Sequence, residues 1–358
     1  MFSKEAEALT ARGDEFRRDL RAWYDANHRL LPWRTAPSVY ATVVSEFMCQ
    51  QTQVDTVLPY FARWLASWPD FPSLAAADES VVMKAWEGLG YYRRARNLHA
   101  LAKEVAAMSE PPRTATGWLP LPGIGAYTAA AIASIAYGDP VAVVDGNVVR
   151  VLSRLSGDTR TFKDNGAAVK AFDPLAQALV DTVFPGDHNQ AMMELGATVC
   201  YRRKPLCALC PVRDYCAAEK RGVQEDIPTF LPKAVEKVFV DRLLVVDPAT
   251  GAVLLRRYAP DARTLAGLCE MPAKEGLVEL PGAENLIAVK KRAITTRQYE
   301  ESIYRVKLTP ALAKRVAADK TLEWVTPEAL ATATLSGPHR QWLTRLLRTA
   351  AGPAGDNS

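Results

Sequence analysis

A chain of 358 residues, 49% of them apolar and 8% aromatic, buries more than one core without disulfide staples, which excludes the disordered and cross-link-dependent classes. A net charge of +4 admits a polyanionic partner without demanding one. The longest run of small and apolar residues, Thr128 to Tyr137, is about half of the roughly 20 residues a bilayer helix needs. Met1 to Glu7 mixes charges where a secretory leader needs an apolar core. A soluble cytoplasmic or nucleoid protein with no membrane partner is expected.

From Asp14 to about Ala218 apolar residues recur at spacings of three and four, broken at Pro32, Pro69, Gly90, Pro122-Gly123 and Pro185-Gly186, which predicts an all-α domain over residues 1–222. Residues 223–234 read as a polar, Pro-containing linker with little to bury. β-Branched runs at Val238–Val246, Ala252–Tyr258 and Ile303–Leu308, with helical patterns at Pro327–Ala333 and His339–Arg348, predict an α+β domain over 235–350. The tail at 351–358, rich in Gly, Pro, Asp and Asn, is expected to be disordered.

Several segments carry chemistry. In Val44-Ser45-Glu46-Phe47-Met48-Cys49-Gln50-Gln51-Thr52-Gln53-Val54, Glu46, Gln50 and Gln53 share one helical stripe and Val44, Phe47, Met48 and Val54 another. One face packs and the other is offered to a ligand, although a lone helical Glu is usually a solvated charge. Leu121-Pro122-Gly123-Ile124-Gly125-Ala126-Tyr127 is a glycine-punctuated turn opening an Ala-rich helix. Its glycines let backbone N–H groups approach a phosphate, and the helix N-terminus adds partial positive charge. By itself such a turn is more often a plain helix connection. In Val144-Asp145-Gly146-Asn147-Val148-Val149-Arg150, Asp145 fits the N-cap of a helix running to Leu155.

Six cysteines are present; Cys49 and Cys269 stand alone, and four form Cys200-x6-Cys207-x2-Cys210-x5-Cys216. Four soft thiolates surround either an iron–sulfur cluster or zinc. Zinc ribbons usually carry two Cys-x2-Cys knuckles, so the single short spacing favours a [4Fe–4S] cluster held by Cys200, Cys207, Cys210 and Cys216. Arg202, Arg203, Lys204 and Arg213 lie in the same loop, facing either solvent or phosphate.

The hairpin turn, the Asp some twenty residues later and the cysteine loop together resemble the endonuclease III superfamily of helix–hairpin–helix base-excision glycosylases. The Glu46 segment is similar to the signature of its MutY-type adenine glycosylase branch, and the resemblance extends along nearly the whole chain. It implies that Glu46 protonates an extruded adenine and that Asp145 stabilises the sugar's developing positive charge. Trp33, Arg34 and Glu194, from Leu31–Arg34 and Asn189–Glu194, would line the adenine pocket, with Tyr127 and Asn147 orienting Asp145 or its water. Trp33 as plain core and Glu194 as a surface charge are the competing readings. Gln50, Gln51, Thr52, Tyr91, Gly123 and Gly125 would contact DNA, Tyr91 and Gln50 filling the space that a flipped base leaves. Bifunctional relatives carry a lysine nucleophile after the hairpin glycines; Tyr127 stands there and cannot form an imine, which implies base removal without strand cleavage.

In the second domain, Val253–Tyr258, Leu265–Pro272 and Leu322–Val325 resemble a Nudix-like module used to find 8-oxoguanine. No Arg-Glu-x-x-Glu-Glu run follows Pro272, so binding rather than Mg²⁺-dependent hydrolysis is implied. Where the family carries a Phe-Ser-His loop this chain has Ile294-Thr295-Thr296-Arg297, which leaves Thr295, Thr296 and Arg297 for lesion recognition. Cys49 and Cys269 replace the family's Leu and Trp. The implied function is base excision repair: a monomer that removes adenine from duplexes holding it opposite 8-oxoguanine or guanine. A related glycosylase for another base, or a non-catalytic DNA-binding homologue, is the alternative.

Overall fold

The computed structural model describes residues 3–350, apart from 233, 260, 261, 263, 264, 280 and 295. The tail expected to be disordered lies outside the described residues. The chain forms two compact units, one of Met1–Ala76 with Asn97–Pro232 and one of Ala77–Arg96 with Lys233–Ser358. None of the described helices is long and apolar enough to cross a membrane.

The first unit is built of α-helices; its described strands are only the two-residue pair Thr161–Phe162 and Thr229–Phe230, which run parallel. That pairing corrects the expectation of a linker with little to bury, because Ile227 beside it is 3% exposed. The helix Val39–Cys49 starts where Ser38 accepts from Ala41 N and is buried nearly all round, from Tyr40 to Met48. A helix apolar on every side belongs in the middle of a core, and Glu46 is its one carboxylate. It ends at Cys49, and Gln51 adopts a left-handed φ of 55°, so Gln53 caps the next helix, Val54–Ser67, instead of extending the stripe of Glu46. The expected single helical stripe stops there.

Two more helices frame the centre. Ala126–Tyr137 presents Ala129, Ala131, Ile132 and Ala133 with no exposure, small side chains that let neighbouring backbones close in. It stops at Gly138, whose φ of 73° suits glycine. Gly146–Leu155 buries Val148, Val149, Val151, Leu152 and Leu155 against the helices Gly13–Asn27, Asn165–Leu179 and Pro185–Thr198.

The second unit is α+β, as expected. One sheet has the order Glu236–Val245, Arg297–Val306, Leu286–Ile294; the first pair runs parallel and the second antiparallel. A second antiparallel sheet places Val253–Arg257 between Cys269–Glu270 and Leu322–Val325. The Gly337–Ala350 helix packs Trp342 and Leu343 onto Leu244, Leu255, Met271 and Ile303. Leu286–Ile294 and the helix Pro310–Ala318 did not stand out from the sequence. Residues 77–96 depart from the single cut expected near residue 222. Tyr92 donates to the Leu335 carbonyl (3.2 Å), Lys84 to that of Ala331 (2.7 Å), and Glu87 pairs with Arg340.

Candidate active site

Glu46, Tyr127 and Asp145 come from three helices and meet. Tyr127 donates a hydrogen bond to the Glu46 carboxyl, and the Asp145 charge reaches both. Burial is the main force on Glu46 and lifts its pKa from 4.5 to about 7; the nearby Asp145 adds to the rise, while Tyr127 and Arg34 oppose it. A carboxylic acid so placed holds its proton near neutrality. Burial also raises Asp145, but three groups favour its charged form: Val148 N donates at 2.7 Å, Asn147 Nδ2 at 2.9 Å, and Arg150 acts at longer range. Asp145 therefore serves as the helix N-cap, a second carboxyl beside Glu46 whose charged form these donors support against the burial that raises its pKa.

Asn147 is itself held. Arg150 donates to Asn147 Oδ1 (3.0 Å), to the Gly196 carbonyl (2.7 Å) and to the Cys200 carbonyl (2.7 Å). Gly196 has to be glycine for this contact: a Cβ there would lie 2.6 Å from Asn147 Cβ. Buried Asn189 fixes the segment leading to Asp145, accepting from Val143 N and donating to Ser134 Oγ and the Val141 carbonyl.

The expected pocket residues sort differently. Trp33 meets Phe61 edge-on at 5.0 Å and is half-buried. Arg34 donates to Glu194 Oε2 (3.0 Å) and Gln190 Oε1 (3.1 Å). Glu194 also accepts from Arg29 N, Nε and Nη2 at 2.7–3.0 Å, has no side-chain exposure, and is pushed down to about 2 by those two arginines against the opposing effect of burial. Glu194 is neither the surface charge nor an open hydrogen-bonding wall; it holds Arg29 and Arg34. Arg29 was missed in the sequence, where it precedes the Leu31–Arg34 segment with no periodic signal of its own.

Gly123 has φ 75° and backs onto Asn97, and Gly125 caps Ala126–Tyr137 with no side-chain acceptor for the first N–H groups. Gln50 Nε2 reaches Thr128 Oγ1 at 3.4 Å, and Thr52 follows exposed Gln51 at the helix end. Tyr91, half exposed with φ 47°, belongs to the second unit. There Thr296 and Arg297 sit at the turn between the paired strands Leu286–Ile294 and Arg297–Val306; Arg297 pairs with Glu236 at 2.7 Å, and Thr295 lies outside the described residues.

Cys200, Cys207, Cys210 and Cys216 line one cavity with Arg154. Among the described residues no three His, Cys, Asp or Glu side chains gather as ligands of a single ion; the four thiols share this cavity without converging on one point. Burial and mutual repulsion push Cys210 up to about 12 and raise Cys207 and Cys216, a set whose thiolates need a strongly positive centre. The donor set fits an iron–sulfur core.

Residues 44–173 match the HhH-GPD superfamily of base excision DNA repair proteins, and residues 200–216 match the iron–sulfur binding domain of endonuclease III. An adenine DNA glycosylase from Schizosaccharomyces pombe is 36% identical over 73% of this chain and 70% of its own length. The chain belongs to the adenine DNA glycosylase family. The family's [4Fe–4S] cluster accompanies the cysteine loop. The Rattus norvegicus relative is 48% identical over 58% of the chain, which spans 42% of that protein; the chain thus covers about two fifths of some relatives. A thermostable thymine-DNA glycosylase shares the helical fold, with 27% identity and a TM-score of 0.53 over 60% of this chain and 99% of its own.

Proposed function

We propose that this chain removes adenine from DNA in which it stands opposite 8-oxoguanine or guanine, without cutting the strand. The observation that carries the reading is a half-buried carboxyl with a pKa of about 7, Glu46, beside a second carboxyl held by Val148 N and Asn147. Cleavage of an adenine glycosidic bond asks for those two things. Glu46 gives its proton to N7 of the extruded base, making adenine a neutral leaving group. The bond between N9 and C1′ then breaks with its electrons on the base, and Asp145 faces the cationic sugar. Water adds at C1′ and surrenders its proton to the site, which regenerates the enzyme. Tyr127 occupies the place of an amine nucleophile and has none to offer, so no imine forms and the backbone survives.

In this reading residues 1–222 carry the chemistry, Trp33, Arg29 and Arg34 border the base pocket, and Gln50, Gln51, Thr52, Tyr91, Gly123 and Gly125 contact the duplex. Cys200, Cys207, Cys210 and Cys216 hold the cluster, which stiffens the loop bearing Arg202, Arg203 and Lys204. Residues 235–350 act as a Nudix-like reader of the opposite base. Glu270 and Glu301 in that unit are each occupied by arginines, which supports binding over metal-dependent hydrolysis. The lesion preference is weaker than in relatives with a Phe-Ser-His loop.

The test is incubation with duplexes carrying adenine opposite 8-oxoguanine, adenine opposite guanine, or thymine opposite guanine, with and without alkali. Cleavage of the two adenine strands only after alkali is expected. Release of thymine alone, or breaks without alkali, overturns the proposal.

A further inference from the structure

Arg154 is 2% exposed, and each of its three side-chain nitrogens has an acceptor. Nε donates to the Ile227 carbonyl (3.1 Å), Nη2 to that of Arg202 (3.0 Å), and Nη1 to that of Tyr201 (2.7 Å) and to Cys200 Sγ (3.2 Å). All these partners are neutral carbonyls except one, a sulfur. Among the described residues Arg154 pairs with no carboxylate, whereas Arg242 and Arg292 of the second unit each have two. Burying a guanidinium without a counter-ion is strongly unfavourable. The charge that faces it is the cavity of four cysteines, which it lines. An iron–sulfur core bound by four thiolates is a net anion, and Arg213, the other arginine on this cavity, is half exposed and already paired with Glu219.

We infer that Arg154 is the buried counter-charge of the cluster, acting through the Cys200 thiolate, and that it sets both how firmly the cluster is retained and at what potential it changes oxidation state. A charge-assisted N–H···S bond stabilises the more negative, reduced form, so it raises the reduction potential. The same side chain grips the backbone of residues 200–202, which makes it a positioning residue for the loop as well. The inference rests on the cluster alone and stands whichever base is excised.

Holoprotein carrying Arg154→Gln or Arg154→Lys tests it, with iron per chain and the cluster potential by protein-film voltammetry as readouts. In Arg154→Gln, loss of iron and a shift of the surviving cluster to more negative potential are expected. Arg154→Lys keeps the charge but loses the fork, so it should retain more iron than the Gln variant and a potential near that of the parent. An unchanged potential in Arg154→Gln overturns the inference, as does a Lys variant shifted as far as the Gln one. Should Arg154→Gln bind no cluster, the Lys variant decides: a retained cluster at near-parental potential supports charge compensation, and an equally empty protein refutes it.

Discussion

Glu46 in the first unit and Glu270 in the second are treated in opposite ways, and Glu194, paired with two arginines in the first unit, sides with Glu270. Glu46 lies among apolar side chains with one phenol donating to it and a second carboxylate nearby, and its pKa climbs to about 7. In the second unit Glu270 takes Arg242 at 2.9 Å and Arg292 at 2.5 Å, Glu301 takes the same two arginines, and Glu270 is pushed down to about 2. His339 completes that network: Nδ1 accepts from Met271 N and Nε2 faces Glu301. Burial acts to raise the pKa in both places. What separates them is the supply of cations: fully paired carboxylates are structural, and an unpaired one is held ready to exchange a proton.

Substitution at each site tests that contrast. Glu46→Gln should lower single-turnover adenine release by about 10²- to 10⁴-fold while duplex binding in a mobility-shift assay persists; retained excision would mean that another group delivers the proton. Asp145→Asn keeps an N-cap acceptor for Val148 N, so folding should survive with a loss of about 10²- to 10³-fold in the same assay. In urea melts the pair should split in sign. Glu270→Gln leaves two buried arginines to share the single carboxylate of Glu301 and should cost about 3–5 kcal/mol. Glu46 binds its proton more tightly folded than unfolded, so its contribution to stability fades as pH rises from 4.5 to about 7. At pH 8 Glu46→Gln should therefore stabilise, by on the order of 3 kcal/mol at about 1.4 per pKa unit. Glu270 behaves inversely, its contribution being present at neutral pH and lost as acid titrates the fold from 4.5 towards about 2. The smallest effect belongs to Tyr127→Phe: removing a donor to the charged form of Glu46 should move the alkaline limb of the pH–rate profile upward from about 7. A limb that stays put would show that Tyr127 does not tune this acid.

Much of the local structure of the candidate site was legible because residue chemistry and helix-end geometry coincide there. Asp145 reads as an N-cap and is one; Val44, Phe47 and Met48 pack while Glu46 does not; the cysteine spacing announces its cavity. What stayed hidden depends on partners distant in the chain. Glu194 lies 160 residues from Arg34 and 165 from Arg29, and nothing local says that it holds arginines. The parallel pairing of Glu236–Val245 with Arg297–Val306 follows from long-range topology, which alternation within one strand cannot reveal. Arg154 is one more helical arginine in the sequence; its burial is set by the loop that wraps it.

Gly196 carries no functional group, yet it allows one helix to touch Asn147 and, through it, the anion of the site. The candidate site's vulnerability is thus not confined to residues with reactive groups. A single added methyl group, as in Gly196→Ala, would act as a wedge between two frameworks, silencing the enzyme by excess volume while every reacting atom remained in the chain.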